Sequence, residues 1–266
     1  MKENRLSIYV SSPDSYADVF EIFLKGFHKY WSDCPYEFIL ATNTNSYEGI
    51  TCICNNKQED TWVERTLAVL PDIKTKYVLL MCDDIIISGK VDNAIIEQLL
   101  DYMDDNDIRY CRLGPLPIGS KIESFPLLRK VNKQTPYAIN LQIGIFRKDL
   151  FVELLGDGSL SAWGIENFIN EQAAVAGEED FKDVLAVSNY VVPYIHGVYK
   201  GKWKRKAVSD LTKMGLYKSN DRPIVSFGQE VKISVTDWIQ WRIKPSHRRR
   251  LKRFLCKVGG RFVTGS

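Results

Sequence analysis

The apolar residues of this chain are most concentrated between positions 76 and 89, in the stretch KYVLLMCDDIIISG. Six apolar or aromatic residues, from Tyr77 to Cys82, run directly into Asp83 and Asp84, and three isoleucines follow. A continuous apolar run of this kind predicts a strand buried on both faces, as in the middle of a parallel sheet. Two carboxylates at its end serve no packing purpose, and an unpaired buried charge is costly. We therefore expect the pair to be solvated at the sheet edge or bound to a cation.

Strand-like and helix-like patterns alternate on both sides of this stretch, which predicts an α/β fold with a mostly parallel central sheet flanked by helices. Predicted strands cover residues 5–10, 38–41, 50–54, 77–82, 109–113, 138–147 and 185–195. Predicted helices cover residues 19–30, 61–70, 92–103 and 148–155, and a further helix is entered near 163 with Glu166 in its first turn. Between residues 114 and 136 four prolines interrupt the pattern, and such a segment predicts a functional loop or a hairpin over the site.

The bulk composition indicates a soluble globular protein of one large domain, or of one domain with an appendage. The chain has 266 residues, of which 45% are hydrophobic and 26% charged. Its apolar runs fall short of the roughly 20 residues that span a bilayer. The first residues lack the apolar core of a signal peptide, so we expect a cytoplasmic location. The six cysteines include no CxxC pair, which argues against zinc and against a disulfide framework.

The charge is distributed unevenly along the chain. No Asp or Glu follows Asp237, whereas nine Lys or Arg lie between Trp238 and Ser266. Removing these nine from the net charge of +3 leaves −6 for residues 1–237. Because Trp238 and Trp241 flank the basic run, we predict a basic amphipathic C-terminal extension, residues 206–266, that lies on an anionic membrane surface. A disordered basic tail and a nucleic-acid contact are the alternatives, and nucleic acid is the less expected partner.

Ligands of open α/β sheets bind at the carboxyl ends of the strands, where Asp83 and Asp84 would lie. Carboxylates of this kind hold Mg²⁺ or Mn²⁺ together with phosphate oxygens. We predict that Asp84, and secondarily Asp83, bind the cation that holds a diphosphate. A solvated acidic turn is the alternative. Ser11, Ser12 and Asn43 end the first two predicted strands, at the edge that would receive a base and ribose, although turn and capping roles explain them equally well.

Four local motifs resemble those of the GT-A glycosyltransferases, which use nucleotide sugars, and the bacterial capsule and lipopolysaccharide enzymes are the most similar. These motifs are an apolar strand ending in CDD, the segment NLQIGIFRKDLFVELL, the segment SAWGIE, and the segment HGVYKGKW. Together they span roughly residues 5–205. The chain departs from the family pattern at Cys82, which stands where the first Asp of a DxD motif belongs, while the last Asp is kept as Asp84.

The resemblance implies a GT-A, Rossmann-like sheet and roles for further residues. Glu166 would be the base of an inverting transfer, a role that it would lose if configuration were retained, and its alternative is a first-turn glutamate favoured by the helix dipole. His196 would be a metal ligand, or simply a histidine bonded at a strand end. Trp163 and Gln142 are candidates for binding the acceptor, and Arg65 for binding the pyrimidine or phosphate. Candidates for neutralising the phosphates are Lys200, Lys202 and Arg205. A solvated basic loop is the alternative for these three.

These observations predict a catalytic domain over residues 1–205. It would move a hexose from a UDP-sugar to a hydroxyl of a lipid-linked saccharide in bacterial surface polysaccharide synthesis, with Mn²⁺ or Mg²⁺, at the inner face of the cell membrane. One rival is a metal-dependent nucleotidyltransferase, although that class usually has a Gly-rich loop near the first strand and SSPDSYAD is not one. The other rival is a non-enzymatic module that binds membrane or nucleic acid through the basic tail.

Overall fold

The computed structural model describes residues 5–57, 60–115, 119–131, 138–175, 182–231, 233 and 235. Thirteen strands lie in these ranges: β1 Leu6–Ser11, β2 Glu37–Thr42, β3 Thr51–Cys54, β4 Tyr77–Cys82, β5 Ile85–Ile87, β6 Tyr110–Arg112, β7 Ser120–Lys121, β8 Leu128–Lys130, β9 Ile143–Arg147, β10 Val184–Val187, β11 Tyr194–His196, β12 Val198–Tyr199 and β13 Lys202–Trp203. The helices are α1 Ala17–Tyr30, α2 Trp62–Val69, α3 Asn93–Asp105, α4 Lys148–Leu155, α5 Ala162–Val175 and α6 Arg205–Lys213.

Nine strands form one sheet in the order β3-β2-β1-β4-β9-β6-β10-β8-β7. The neighbours β3, β2, β1 and β4 are parallel, and β10 is parallel to β6. Strand β9 runs antiparallel between β4 and β6. The predicted class, an α/β fold with a mostly parallel central sheet flanked by helices, is confirmed. The predicted central strand is β4, which is apolar and buried from Tyr77 to Met81 and has neighbours on both sides.

The helices form where apolar spacing and capping residues coincide. In α1 the rings of Phe20, Phe23 and Phe27 face Phe38 of β2, with ring centroids 5.1–6.4 Å apart. Helix α2 begins with a capping box in which Thr61 Oγ1 accepts the Glu64 N–H and Glu64 accepts the Thr61 N–H. These contacts fix two helices that precede β4 and the acidic pair in the chain.

A separate apolar cluster joins the later part of the chain to α1. Val19 and Ile22 of α1 pack with Ile86 of β5 and with Trp203, and Ala207 and Leu211 of α6 belong to the same cluster. Residues 198–216 therefore lie against the same helix that follows β1. The proposed boundary at residue 205 stays a prediction, and residues 236–266 lie outside the described part of the chain, so the amphipathic extension is untested.

Two predicted strands differ from the structure. The strand predicted over 138–147 begins only at Ile143, because the backbone at Asn140 and Leu141 bonds to Tyr110 Oη and to the side chains of Cys82 and Glu166 instead of a neighbouring strand. The strand predicted over 185–195 is two strands in different sheets, β10 and β11. Pro193, which has no N–H to donate, lies in the connection.

The structure also bears on the predictions for Glu166, for the segment after β6 and for the cysteines. Glu166 does not lie in the first turn of its helix, because α5 already begins at Ala162, where Ser161 Oγ accepts the Gly164 N–H at 3.0 Å. The segment after β6 contains a hairpin of β7 and β8, which extends the sheet beside β10. The five described cysteines are free thiols. No helix among the described residues is long and apolar enough to cross a membrane.

Candidate active site

The acidic pair lies in the turn that joins β4 to β5. Asp83 is buried, and its Oδ2 accepts a hydrogen bond from Ser12 Oγ at 2.7 Å. Burial and the neighbouring carboxylate of Asp84 raise the pKa of Asp83 to about 7. Two carboxylates held together in this way repel one another, and a cation between or beside them would relieve the repulsion.

His196 contacts the acidic pair from β11, which the sequence pattern predicted as one strand with β10. β11 pairs antiparallel with β5, and the register places His196 opposite Ile85, directly after Asp84. His196 Nε2 lies 2.9 Å from Asp84 Oδ2, and the two side chains are 38% and 20% exposed. The Gly197 N–H donates to the Asp84 carbonyl at 2.7 Å. The structure thus brings two of the three predicted metal ligands, Asp84 and His196, into direct contact, while the carboxylate of the adjacent Asp83 bonds Ser12.

The donor set fits a hard or borderline divalent cation that completes its coordination with other oxygens. Carboxylate oxygens suit Mg²⁺ and Mn²⁺, and imidazole suits Mn²⁺. Among the described residues no group of three or more His, Cys, Asp and Glu side chains is arranged to hold a metal ion by itself. A cation here would therefore need ligands from a bound phosphate and water, as Mg²⁺ sites usually do.

A polar cleft of about 470 Å³ opens beside the carboxyl ends of β1 and β2. It is lined by Pro13, Asp14, Ser15, Asn43, Thr44, Asp60 and Arg65. Two of the predicted nucleotide residues, Asn43 and Arg65, thus line one cavity. Arg65 Nε donates to Ser11 Oγ at 3.1 Å, while Ser12 bonds Asp83, so the two serines connect the cleft to the acidic pair.

Asp60 also lines this cleft, and no sequence pattern indicated it. The Asp60 carboxylate is 1% exposed and pairs with Arg65, whose side chain is 6% exposed. It also accepts Asn43 Nδ2 at 3.1 Å and the amide of Asn55. Asp14 bonds the backbone of Thr44 and Asn45 and does not cap α1. The cleft is therefore walled by side chains already fixed by one another, which favours a preformed site.

Glu166 is linked through Leu141 to Cys82, the residue before the acidic pair. Its Oε1 accepts the Leu141 N–H at 2.8 Å, and the Leu141 carbonyl accepts Cys82 Sγ at 3.4 Å. Burial raises the pKa of Glu166, and the Leu141 hydrogen bond and Arg112 oppose that shift. Burial also raises the pKa of the Cys82 thiol, with the carboxylates of Asp84, Asp83 and Glu166 adding to the effect. Cys82 is therefore a neutral side chain between the acidic pair and Glu166 and no nucleophile.

The predicted acceptor and phosphate residues are exposed. Trp163, one turn before Glu166 in α5, is 51% exposed, and Gln142 is exposed beside Leu141. Lys200 occupies the turn of the β12–β13 hairpin and Lys202 is exposed on β13, three and five residues after Gly197. Arg205 begins α6. The structure places these residues on the chain segments that border the site, and their roles stay predictions.

Comparison with known proteins adds solved structures of low sequence identity. No protein-family model and no curated protein matches the chain. The mannosyltransferase PcManGT from Pyrobaculum calidifontis, in complex with GDP-Man and Mn²⁺, is 12% identical and covers 81% of this chain and 65% of its own, with a TM-score of 0.47. Residues 1–349 of S. aureus TarS are 11% identical and cover 71% and 59%, with a TM-score of 0.44. The complex of the same TarS fragment with UDP has 12% identity, the same coverage and the same TM-score.

The class named for PcManGT is the transferase class that the sequence motifs resemble. The chain spans 59% to 65% of the length of these solved structures. All three TM-scores are below 0.5, so the likeness carries no functional argument.

Proposed function

We propose that the protein is a metal-assisted glycosyltransferase that moves a hexose from a UDP-sugar to a hydroxyl of a lipid-linked saccharide in bacterial surface polysaccharide synthesis. One observation carries the proposal. The carboxylate pair that follows β4 is linked through Ser12 and Ser11 to a polar cleft, and through Cys82 and Leu141 to the half-buried Glu166. The cleft, the carboxylate pair and Glu166 would act on the nucleotide, the diphosphate and the acceptor, respectively.

The cleft that contains Asn43 and Arg65 is the proposed site of the uridine. Its volume of about 470 Å³ lies in the usual range of small-molecule sites, roughly 300–1,000 Å³. Ser15 and Thr44, which are exposed in its lining, offer hydroxyl groups that can bond the edge of a pyrimidine, while the buried Asp60–Arg65 pair holds the wall in place. Ser12 and Ser11 then lead from the cleft toward Asp83, the direction in which the diphosphate would extend.

Asp84, Asp83 and His196 would hold the cation. When bound, Mn²⁺ or Mg²⁺ neutralises the charge that develops on the departing diphosphate and orients it. Ser12 keeps Asp83 in place through the 2.7 Å hydrogen bond. Lys200 and Lys202 would add positive charge from the hairpin that follows His196.

Glu166 would accept the proton of the acceptor hydroxyl in an inverting transfer. Its burial disfavours the charged form, so the carboxylate is a stronger base than an exposed glutamate. The Leu141 N–H holds one carboxylate oxygen and leaves the other for the hydroxyl. Trp163, exposed on the same helix, would stack on the acceptor sugar.

The proposed membrane partner gains support from the end of the described chain. Residues 227–231, 233 and 235 are helical. Phe227, Val231 and Val235 are 74%, 46% and 52% exposed, and their spacing of four places them on one face. The basic tail follows these residues in the sequence. Flotation with anionic liposomes should weaken in Val231→Glu and not in Val152→Glu, an equally exposed valine of α4; equal flotation of both variants would refute this assignment.

Calorimetry with UDP, with and without Mn²⁺, tests the central proposal. The wild type should bind UDP more tightly with Mn²⁺, and Asp84→Asn should abolish that difference while Asp72→Asn, in the turn before β4, keeps it. Absence of metal-dependent binding in the wild type would refute the proposal. Glu166→Gln should retain UDP binding and lose transfer, and retained turnover would remove Glu166 from the role of base.

A further inference from the structure

Arg222 joins three segments that are far apart in sequence. Its side chain is 12% exposed and forms a two-point ion pair with Asp18 of α1, with Nε to Oδ2 at 2.8 Å and Nη2 to Oδ1 at 2.6 Å. Nη2 also donates to the Ser15 carbonyl at 2.7 Å, and Nη1 donates to the Gly201 carbonyl at 3.1 Å. The guanidinium lies 4.3 Å from the centroid of the Tyr16 ring. A planar fork of donors suits this arrangement, and a lysine could not reproduce it.

The Gly201 carbonyl belongs to a turn in which the backbone conformation of Lys200 is energetically unfavourable. Lys200 has φ 48° and Gly201 has φ 75°, and these two residues alone connect β12 to β13. Glycine adopts this left-handed region freely, whereas for lysine it costs on the order of 1 kcal/mol. A side chain that fixes the next carbonyl therefore helps to keep the lysine in this conformation. Strained residues of this kind persist where the surrounding structure determines them.

The same contacts lie next to the acidic pair. A Cβ on Gly201 would lie 3.8 Å from the Tyr16 hydroxyl. Burial raises the pKa of Tyr16, the Arg222 guanidinium opposes that shift, and the carboxylates of Asp83 and Asp84 add to it. The hairpin is attached at its other end to Asp84 through Gly197 and His196. The turn with Lys200 is thus held at both ends, by Asp84 and by Arg222.

We propose that Arg222 is a positioning residue for the diphosphate of the donor: it fixes the Lys200–Gly201 turn and Tyr16 beside Asp83 and Asp84, so that the Lys200 ammonium meets the β-phosphate. The inference rests on the proposed function. Arg222 does not touch the donor itself, since its own contacts are with Asp18, Ser15, Gly201 and Tyr16. A purely structural role would affect folding without distinguishing one phosphate from two.

Arg5 offers a matched control at the opposite end of the sheet. It precedes β1 and pairs with Glu97, Asp101 and Asp104 at 2.7–3.0 Å. Arg5→Met therefore removes a guanidinium that ties together distant segments, as Arg222→Met does, but lies at the amino end of the strands. Both variants should lower the melting temperature, but only Arg222→Met should lower the affinity for the donor nucleotide.

The test compares UDP with UMP, which lacks the β-phosphate, by calorimetry with Mn²⁺ on the full chain. Arg222→Met and Arg222→Lys should each lose about tenfold in UDP affinity and leave UMP affinity unchanged, as expected for loss of a charge-assisted phosphate contact, whereas Arg5→Met leaves both unchanged. Lys200→Met, an exposed substitution that does not threaten folding, should show the same loss, and combining it with Arg222→Lys should add nothing further.

Equal losses for UDP and UMP, full additivity of the two substitutions, or unchanged UDP affinity in Lys200→Met would overturn the inference. These outcomes differ from failure of the proposed function, in which the wild type itself shows no Mn²⁺-dependent affinity for UDP.

Discussion

Replacing Arg65 by methionine should destabilise the protein by an amount that depends strongly on pH. The partner of Arg65 is Asp60, whose carboxylate is 1% exposed, so the substitution leaves a charge inside the protein. Methionine keeps most of the aliphatic volume of the arginine stem. The carboxylate would retain the amides of Asn43 and Asn55, but it would lose its ion pair with Arg65.

The magnitude follows from two limits. Removing one partner of a buried ion pair typically costs about 3–5 kcal/mol. The carboxylate can limit that loss by taking up a proton, and protonating an aspartate with an ordinary pKa near 3.9 costs about 4 kcal/mol at pH 7 and about 1.5 kcal/mol at pH 5. We therefore expect the loss in free energy of unfolding to be about 4 kcal/mol at pH 7 and about 1.5 kcal/mol at pH 5.

Urea unfolding at pH 5, 6 and 7 would measure this dependence. Asp60→Asn combined with Arg65→Met should recover much of the loss at pH 7, because the amide needs no counter-charge. Arg147→Met is the control: its partners Asp107 and Asp149 are 89% and 60% exposed, so its loss should stay below about 1 kcal/mol and be flat over this pH range. A loss in Arg65→Met that is equal at pH 5 and pH 7 would refute the account of Asp60 as a buried charge.

Two further substitutions test the environment of the site. Because the pKa of Glu166 is raised, the folded state binds more protons than the unfolded state, and stability falls as pH rises from the unfolded-state pKa through the folded-state pKa. Glu166→Gln should therefore raise the melting temperature at pH 8 more than at pH 4. A change in melting temperature that is the same at both pH values would contradict this. Gly197→Ala should cost about 1–3 kcal/mol, since its Cβ would lie 2.7 Å from the buried Trp203 ring. Gly228→Ala, with no atom within 4 Å of the added Cβ, is the control in denaturant unfolding, and equal stability of the two variants would be evidence against the clash.

The regular part of the fold was predictable because local pattern and tertiary structure agree there. The apolar run of β4, the aromatic stripe of α1 and the capping residues Thr61 and Asp92 each point to the element that forms. The acidic pair was predictable for the same reason, since its position at the end of an apolar strand is a local feature. Local pattern failed at residues 138–142, whose apolar character reflects burial beneath α5 and not pairing with a neighbouring strand.

The residues that the sequence did not indicate act through contacts across the whole chain. Asp60 precedes the cap of α2, so by sequence it is indistinguishable from an ordinary polar residue at a helix start. Arg222 and Asp18 are 204 positions apart, and only the folded chain brings them together. Single-sequence periodicity has no access to such pairs, because it reports which face of an element is buried and not which elements meet.

The chain leaves one sheet and enters another at Asp83 and Asp84, and this change explains how the site forms. β4 ends in the nine-stranded sheet, and β5 begins a separate two-stranded sheet with β11. Residues in a turn between sheets are not flanked by neighbouring strands on both sides, so their side chains can take other partners, as Asp83 does with Ser12 and Asp84 with His196. The three isoleucines of β5 are fully buried and fix the register with β11, which places His196 against Asp84. An apolar segment with no chemistry of its own therefore sets the geometry of the polar group beside it, and shifting that register by one residue would turn His196 to the opposite face.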